Sequence, residues 1–332
     1  HCWGMWSPGG PAQEGCWSEK GGFAYRAAAL THDLAVKASN RIVDQIDLSD
    51  EGYTVTVFNP LSWERTDVVR ASLRTWQPHG TPMHVVPPRH EDESPRLVLG
   101  GAIGRGIVDL PQETIEKPFE LVEIETGKRL PYQVVRTTDP QAAVHWAAEG
   151  IAIGGMTELV FLAEALPPMG YKTYGIIPCD EWPRFEDEST ATDEVLENRF
   201  LRLEIDAERG VIRSLLDKEL GQELIDADAP HGFGQMIIRD CGTGEEELSQ
   251  AQGASLTQVG PLYATIKLKT EASCCPRVTE EITLYHMIKR VDFNARILRD
   301  STPTREVFFA FPFQVEEPRF HFEAPNAVIE PI

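Results

Sequence analysis

The stretch LENRFLRLEIDAERGVIRSLL, residues 196–216, decides the fold class. Its first run alternates over the second half, with Phe200 or Leu201, Leu203 and Ile205 marking one face, the period-two signature of a half-buried strand. Asp206-Ala-Glu-Arg-Gly210 supplies turn residues, and Val211-Ile-Arg-Ser-Leu-Leu216 returns as a second apolar run. The pattern predicts an antiparallel hairpin. Further strand candidates follow at 265–270, 279–285, 291–298 and 307–313, with no alternation of strand and helix. The second half of the chain is therefore expected to be mainly antiparallel β.

Outward from this block the organisation is readable in steps. The acidic run CDEWPRFEDESTATDE (179–194) has the composition of a linker, placed at 181–194. Before it, 49–180 carries strand candidates at 54–58, 68–73, 119–124, 132–137, 156–162 and 172–177, and is expected to form a small β-sandwich. VFNPLSW (57–63) ends one of these runs at Asn59-Pro60. Proline lacks an N–H and restricts its predecessor, so the strand should break there. Residues 77–111 read as a long loop or insertion, and GAIGRG (101–106) is glycine-rich without dinucleotide spacing. Residues 1–48 hold the one convincing long helix, Trp17 to Ile46, with Phe23, Ala27, Leu30, Leu34, Ala38 and Ile42 on one stripe. Gly21-Gly22 weaken its first turn, so it is expected to begin after them. The stripe should pack on the β region or on a neighbouring molecule.

The chain has 332 residues, 42% of them hydrophobic and 25% charged, and its length suggests two domains or slightly more. No apolar run approaches the roughly 18 residues of a membrane span. The net charge of −21 repels phosphate backbones and anionic lipid, so nucleic acid and membranes are unfavourable partners, while neutral sugars are not discouraged. Six cysteines form no CxxC pair, and adjacent Cys274 and Cys275 would point to opposite faces of a strand. Reduced, mostly buried thiols and a cytoplasmic setting are expected. The sequence starts at His1 with no initiator methionine or signal peptide and reads as a processed piece.

Catalytic patterns are scarce. There is no Walker loop, GxSxG elbow or HExxH, and no two of the nine histidines stand four apart to clasp a metal. Glycoside hydrolysis needs two facing carboxylates. Glu280-Glu281 and Glu316-Glu317 read as solvated faces and Glu245-Glu246-Glu247 as a surface loop, so the residues nominate no acid and no nucleophile.

Four blocks nevertheless resemble glycoside hydrolase family 38, the α-mannosidases, in order and approximate spacing. VFNPLSWERTDVV (57–69) resembles the strand and turn opening that family's β-rich half. LENRFLRLEIDAERGVIRSLLDKELGQELID (196–226) resembles its later hairpin, with an L-E-N start, a D-x-x-x-G turn and a D-K-E motif. RDSTPTREVFFAFPF (299–313) resembles a further β block, and HCWGMWSPGG with the following helix resembles the end of a helical bundle. The poorest match is 77–190.

The resemblance implies galactose-mutarotase-like antiparallel β-sandwich and supersandwich domains behind a helical-bundle remnant, with 195–332 as part of a supersandwich truncated at its C-terminal side. It also implies a retaining, zinc-dependent parent acting on α-mannosides, whose zinc and aspartate nucleophile lie on an upstream α/β barrel against which this chain packs. His1 in HCWG stands where the family places a zinc-ligating histidine, a role for the parent rather than for this chain alone. Asp240, in HGFGQMIIRDCGTGEEE (231–247), is a substrate-contact candidate; an exposed acidic loop is the plain alternative. The chain alone is expected to be inactive. A carbohydrate-binding or interaction module is the other reading, with Trp63, Trp76, Trp146 and Trp182 as possible stacking platforms, and a relative of altered specificity is a third.

Overall fold

The structure is a computed structural model that describes residues 11–47, 53–73, 105–108, 114, 116–137, 156–185, 189–300, 302, 304–324 and 327–330. The chain divides into two compact units, His1–Phe185 and Glu186–Ile332.

The first unit opens with helix α1 (Pro11–Val43). The helix runs through Gly21-Gly22 instead of starting after them, with Pro11 as its first residue, a position where the missing N–H costs nothing. The β region of this unit does not cover the apolar stripe: Phe23, Leu30, Leu34 and Ile42 are all exposed, Leu34 by 65%. Its strands are β1 (Tyr53–Asn59), β2 (Arg65–Leu73), β3 (Arg105–Val108), β4 (Phe119–Glu123), β5 (Arg129–Leu130), β6 (Tyr132–Thr137), β7 (Met156–Leu166) and β8 (Gly170–Pro178). They form two four-stranded sheets, β1-β8-β4-β5 and β3-β2-β7-β6. Arg105–Val108 lies inside the expected loop, yet it pairs with β2, and in parallel.

Aromatic pairs close this sandwich. Phe119 of one sheet stacks on Tyr132 of the other at 4.4 Å, and Phe161 meets Tyr174 edge-on at 4.8 Å. The Tyr132 hydroxyl donates to the Phe119 carbonyl at 2.6 Å, so a buried phenol is satisfied across the interface. VFNPLSW is the crossover from the first sheet to the second. Buried Asn59 donates to the carbonyls of Trp63 (2.7 Å), Leu166 (3.2 Å) and Pro167 (3.1 Å), and its Oδ1 accepts from Leu61 N–H at 3.1 Å. One side chain thus ties the β1–β2 crossover to the β7–β8 crossover.

The second unit contains β9 (Thr190–Ala191), β10 (Val195–Glu197), β11 (Leu201–Asp206), β12 (Val211–Asp217), β13 (Gln222–Glu223), β14 (Met236–Asp240), β15 (Glu246–Leu248), β16 (Gln250–Val259), β17 (Tyr263–Ala272), β18 (Cys275–Tyr285), β19 (Arg290–Leu298), β20 (Arg305–Phe309), β21 (Phe322–Ala324) and β22 (Ala327–Ile329). The sheets are β13-β12-β11-β10-β9, β15-β14-β20, the meander β16-β17-β18-β19 and the pair β21-β22, and every pairing is antiparallel. The expected hairpin is present: Leu201, Leu203 and Ile205 are buried, and Gly210 closes the turn at φ +67°, where glycine is unstrained.

The meander serves two cores. Leu203, Ile205 and Ile212 pack with Ile266, Leu268, Ile282 and Leu284. Met236 and Ile238 pack with Cys274, Cys275 and Val278. Part of the expected 231–247 loop is therefore strand β14, buried through Met236–Ile238. Two further expectations fail on this sheet. Cys274 and Cys275 do not face opposite ways, because Cys274 sits in the turn before β18, outside strand alternation. Glu280 is not solvated: it takes the core-facing position between Val278 and Ile282 and has no exposed surface, while Glu281 is half-buried and 3.4 Å from Lys267.

Candidate functional site

The residues that distinguish the 196–226 block act on the backbone. Asn198, buried, accepts from the N–H groups of Phe200 (2.8 Å) and Leu201 (2.7 Å) and donates to the Tyr285 carbonyl at 2.7 Å, fixing the hairpin entry to the end of β18. Asp206 Oδ1 accepts from Glu208 N–H (3.1 Å) and Arg209 N–H (3.0 Å), which shapes the turn that Gly210 completes. Asp217 Oδ1 accepts from Glu219 N–H (3.0 Å) and Leu220 N–H (3.1 Å), and its Oδ2 lies 2.7 Å from Lys289 Nζ. The Lys289 bond, the largest influence, holds the Asp217 carboxyl below its ordinary range. Lys218 reaches the Glu197 carboxylate at 2.9 Å and the Asn198 carbonyl at 2.8 Å.

Glu223 does the same for the neighbouring strand. Its Oε1 accepts from Leu215, Leu224 and Ile225 N–H groups at 2.8, 3.1 and 3.1 Å, and Ser214 Oγ donates to Oε2 at 2.6 Å. Burial alone acts to raise this carboxyl, but the four hydrogen bonds outweigh it and the net shift is downward.

Asp240 ends β14 as the pivot of the 241–245 turn. Oδ1 accepts from Gly242 N–H (2.7 Å) and Thr243 N–H (3.0 Å), and Oδ2 pairs with Arg305, its cross-strand neighbour. Gly244, at φ +75°, donates back to the Asp240 carbonyl at 2.8 Å. Both carboxylate oxygens are thus engaged within the protein. Beside it Arg239 binds Glu306 and lies 4.9 Å over the Phe308 ring. Glu245, Glu246 and Glu247 are exposed, as expected, but they are not all loop: Glu246 and Glu247 belong to β15 and pair with β14.

Of the candidate stacking residues, Trp63 is 60% and Trp182 48% exposed, the latter edge-on to Phe119 at 5.9 Å. Trp76, Trp146 and the candidate zinc ligand His1 lie outside the described residues. Among the described residues no group of three or more His, Cys, Asp or Glu side chains converges to hold a metal.

Glu280 is the group that composition concealed. Burial, its dominant influence, pushes the carboxyl up to about 8, and the Thr270 hydroxyl opposes this only in part. The signal was present in the alternation Val278-x-Glu280-x-Ile282-x-Leu284, which puts the acid on the apolar face.

Comparison with known proteins agrees with this architecture. Residues 196–331 match the family described as Glycosyl hydrolases family 38 C-terminal domain. Two solved structures from Enterococcus faecalis share the fold. A protein in glycosyl hydrolase family 38 is 14% identical with a TM-score of 0.59, and 92% of this chain covers 38% of that one. An alpha-mannosidase from strain V583 is 14% identical with a TM-score of 0.58, over 92% of this chain and 37% of that one. The chain thus spans under two-fifths of the length of either structure. No curated protein matches the sequence.

Proposed function

Since residues 196–331 match the glycosyl hydrolase family 38 C-terminal domain, we infer that this chain is the accessory β-rich portion of an α-mannosidase-like enzyme. The observation that carries the reading is the match of the second unit to a C-terminal, not a catalytic, domain of that family. The coverage of relatives more than twice as long supports it. On this reading 49–180 is a small sandwich domain, 195–332 belongs to a larger β domain, and both pack on a catalytic barrel that supplies the chemistry.

The finer proposal is a retaining, zinc-dependent enzyme cleaving α-mannosides, with His1 among its zinc ligands in the full-length parent. Retaining hydrolysis needs a nucleophilic carboxylate and an acid/base carboxylate about 5–5.5 Å apart on either side of the scissile bond. Among the described residues, the carboxylates that the second unit buries, Asp217 and Glu280, are spent on its own turn and core. The chain alone is accordingly expected not to turn over substrate, which an aryl α-mannoside assay tests. No described helix is long and apolar enough to cross a membrane; the four cysteines whose side chains are described are free, which fits a reducing cytoplasm.

A second reading, a glycan-binding module, rests on exposed Trp63 and Trp182. Titration calorimetry with mannose oligosaccharides on this chain separates the two: heat that Trp63→Ala or Trp182→Ala removes favours the module, and its absence favours the accessory role.

A further inference from the structure

The β17–β18 hairpin pairs Ala272 with Cys275, leaving Ser273 and Cys274 as its two turn residues. Freed from strand alternation, Cys274 turns its side chain to the same side as Cys275. The two Sγ atoms lie 3.7 Å apart, and both residues are wholly buried. Met236, Ile238 and Val278 pack around them. The tip is held from outside: Ser273 N–H donates to Glu247 Oε1 at 2.9 Å, and Asp300 N–H donates to the Cys274 carbonyl at 3.0 Å. Ser273 and Pro276, which flank the pair, are exposed. The dithiol is thus one residue from solvent on either side, and opening the hairpin tip is enough to reach it.

We propose that Cys274 and Cys275 form a vicinal dithiol that a peroxide converts to an intramolecular disulfide and a thiol reductant restores. One thiolate attacks a peroxide oxygen; the O–O bond breaks, giving a sulfenic acid and a hydroxide that takes a proton to become water. The second sulfur then attacks the sulfenic sulfur, forming the S–S bond and expelling a second water. Two thiols are oxidised by two electrons, and one hydrogen peroxide is reduced to two waters.

Geometry sets the character of the product. Adjacent Cα atoms are about 3.8 Å apart across a trans peptide, whereas ordinary disulfides span roughly 4.4–6.8 Å. The ring is therefore strained and easily reduced, as labile disulfides are and structural ones are not. In the closed hairpin the reaction is slow. Burial, together with the neighbouring Cys274, pushes the Cys275 thiol up to about 11, away from the reactive thiolate. Oxidation should follow the rate at which the tip opens.

The test is peptide mass spectrometry on the folded chain after hydrogen peroxide, with and without later dithiothreitol. The expected result is loss of two hydrogens from the peptide holding Cys274 and Cys275, reversed by reductant and blocked by phenylarsine oxide, which bridges close thiols. Cys274→Ser and Cys275→Ser should each abolish it. Glu247→Ala removes the acceptor that holds Ser273 N–H without touching either sulfur, and should accelerate it severalfold. Retention of both thiols under conditions that oxidise exposed Cys241 overturns the proposal. So does a loss seen only in denaturant.

Discussion

The Thr270 hydroxyl donates to Glu280 Oε1 at 3.3 Å across neighbouring strands, while Oε2 has no partner among the described residues. On β18 Glu280 stands opposite Leu268 on one side and Ala295 on the other, so an acid occupies a slot built for an apolar side chain. An ionised carboxylate there would be costly, and the group is held protonated with its pKa near 8.

This makes stability fall on the alkaline side. The folded pKa lies above the unfolded value, so the contribution is complete below the unfolded pKa and is lost as pH rises through about 8. Glu280→Gln keeps an acceptor for Thr270 and removes the ionisation. In denaturant titrations it is expected to match the parent protein near pH 5 and to exceed it near pH 9 by on the order of 1–3 kcal/mol. Equal alkaline stabilities would show that the carboxyl is solvated.

Glu223 predicts the opposite limb. Its carboxyl is held low by the N–H groups of Leu215, Leu224 and Ile225 and by Ser214. That contribution is present above the unfolded pKa and lost as pH falls through the folded one. Glu223→Gln should flatten the loss of thermal stability below about pH 4.5; an unchanged acid limb contradicts the assignment.

Asn59→Ala leaves three crossover carbonyls without their donor, and Asn198→Ala strips two N–H groups and the Tyr285 carbonyl. Each is expected to cost about 2–3 kcal/mol in denaturant unfolding. Losses within about 0.5 kcal/mol, the range of ordinary surface changes, would remove both from the framework.

Asp240→Ala separates turn formation from substrate contact. With both oxygens already engaged, it should lower stability by about 1 kcal/mol and leave KM unchanged when the chain is tested joined to the catalytic domain proposed above. A raised KM at unchanged stability would give Asp240 to the substrate.

The α1 stripe predicts self-association. Leu30 and Leu34 are exposed on one face of a 33-residue helix. Sedimentation should show concentration-dependent dimers that Leu34→Glu abolishes; a monomer at every concentration rejects this.

Much of the fold was legible because its strands carry a period of two. Leu203, Ile205, Ile266 and Ile282 announce buried faces, and Asn59-Pro60 marks where one sheet hands over to the next. β16 was hidden by its polar sequence, QAQGASLTQV, at the edge of the meander, where one face needs little burial. β3 was hidden in glycine-rich sequence whose pairing is long-range. The L-E-N, D-x-x-x-G and D-K-E residues were legible as a family pattern but not as chemistry. Asn198, Asp206 and Asp217 serve turns and strand ends, which only their hydrogen bonds reveal. Glu280 and the Cys274–Cys275 pair were misread because burial depends on what packs above a strand, and turn residues escape alternation.

The most direct test of the accessory role is the release of aryl alcohol from an aryl α-mannoside by this chain alone, with and without added Zn2+. The account predicts no release above buffer in either condition. Zinc-dependent turnover by a clean preparation would contradict it.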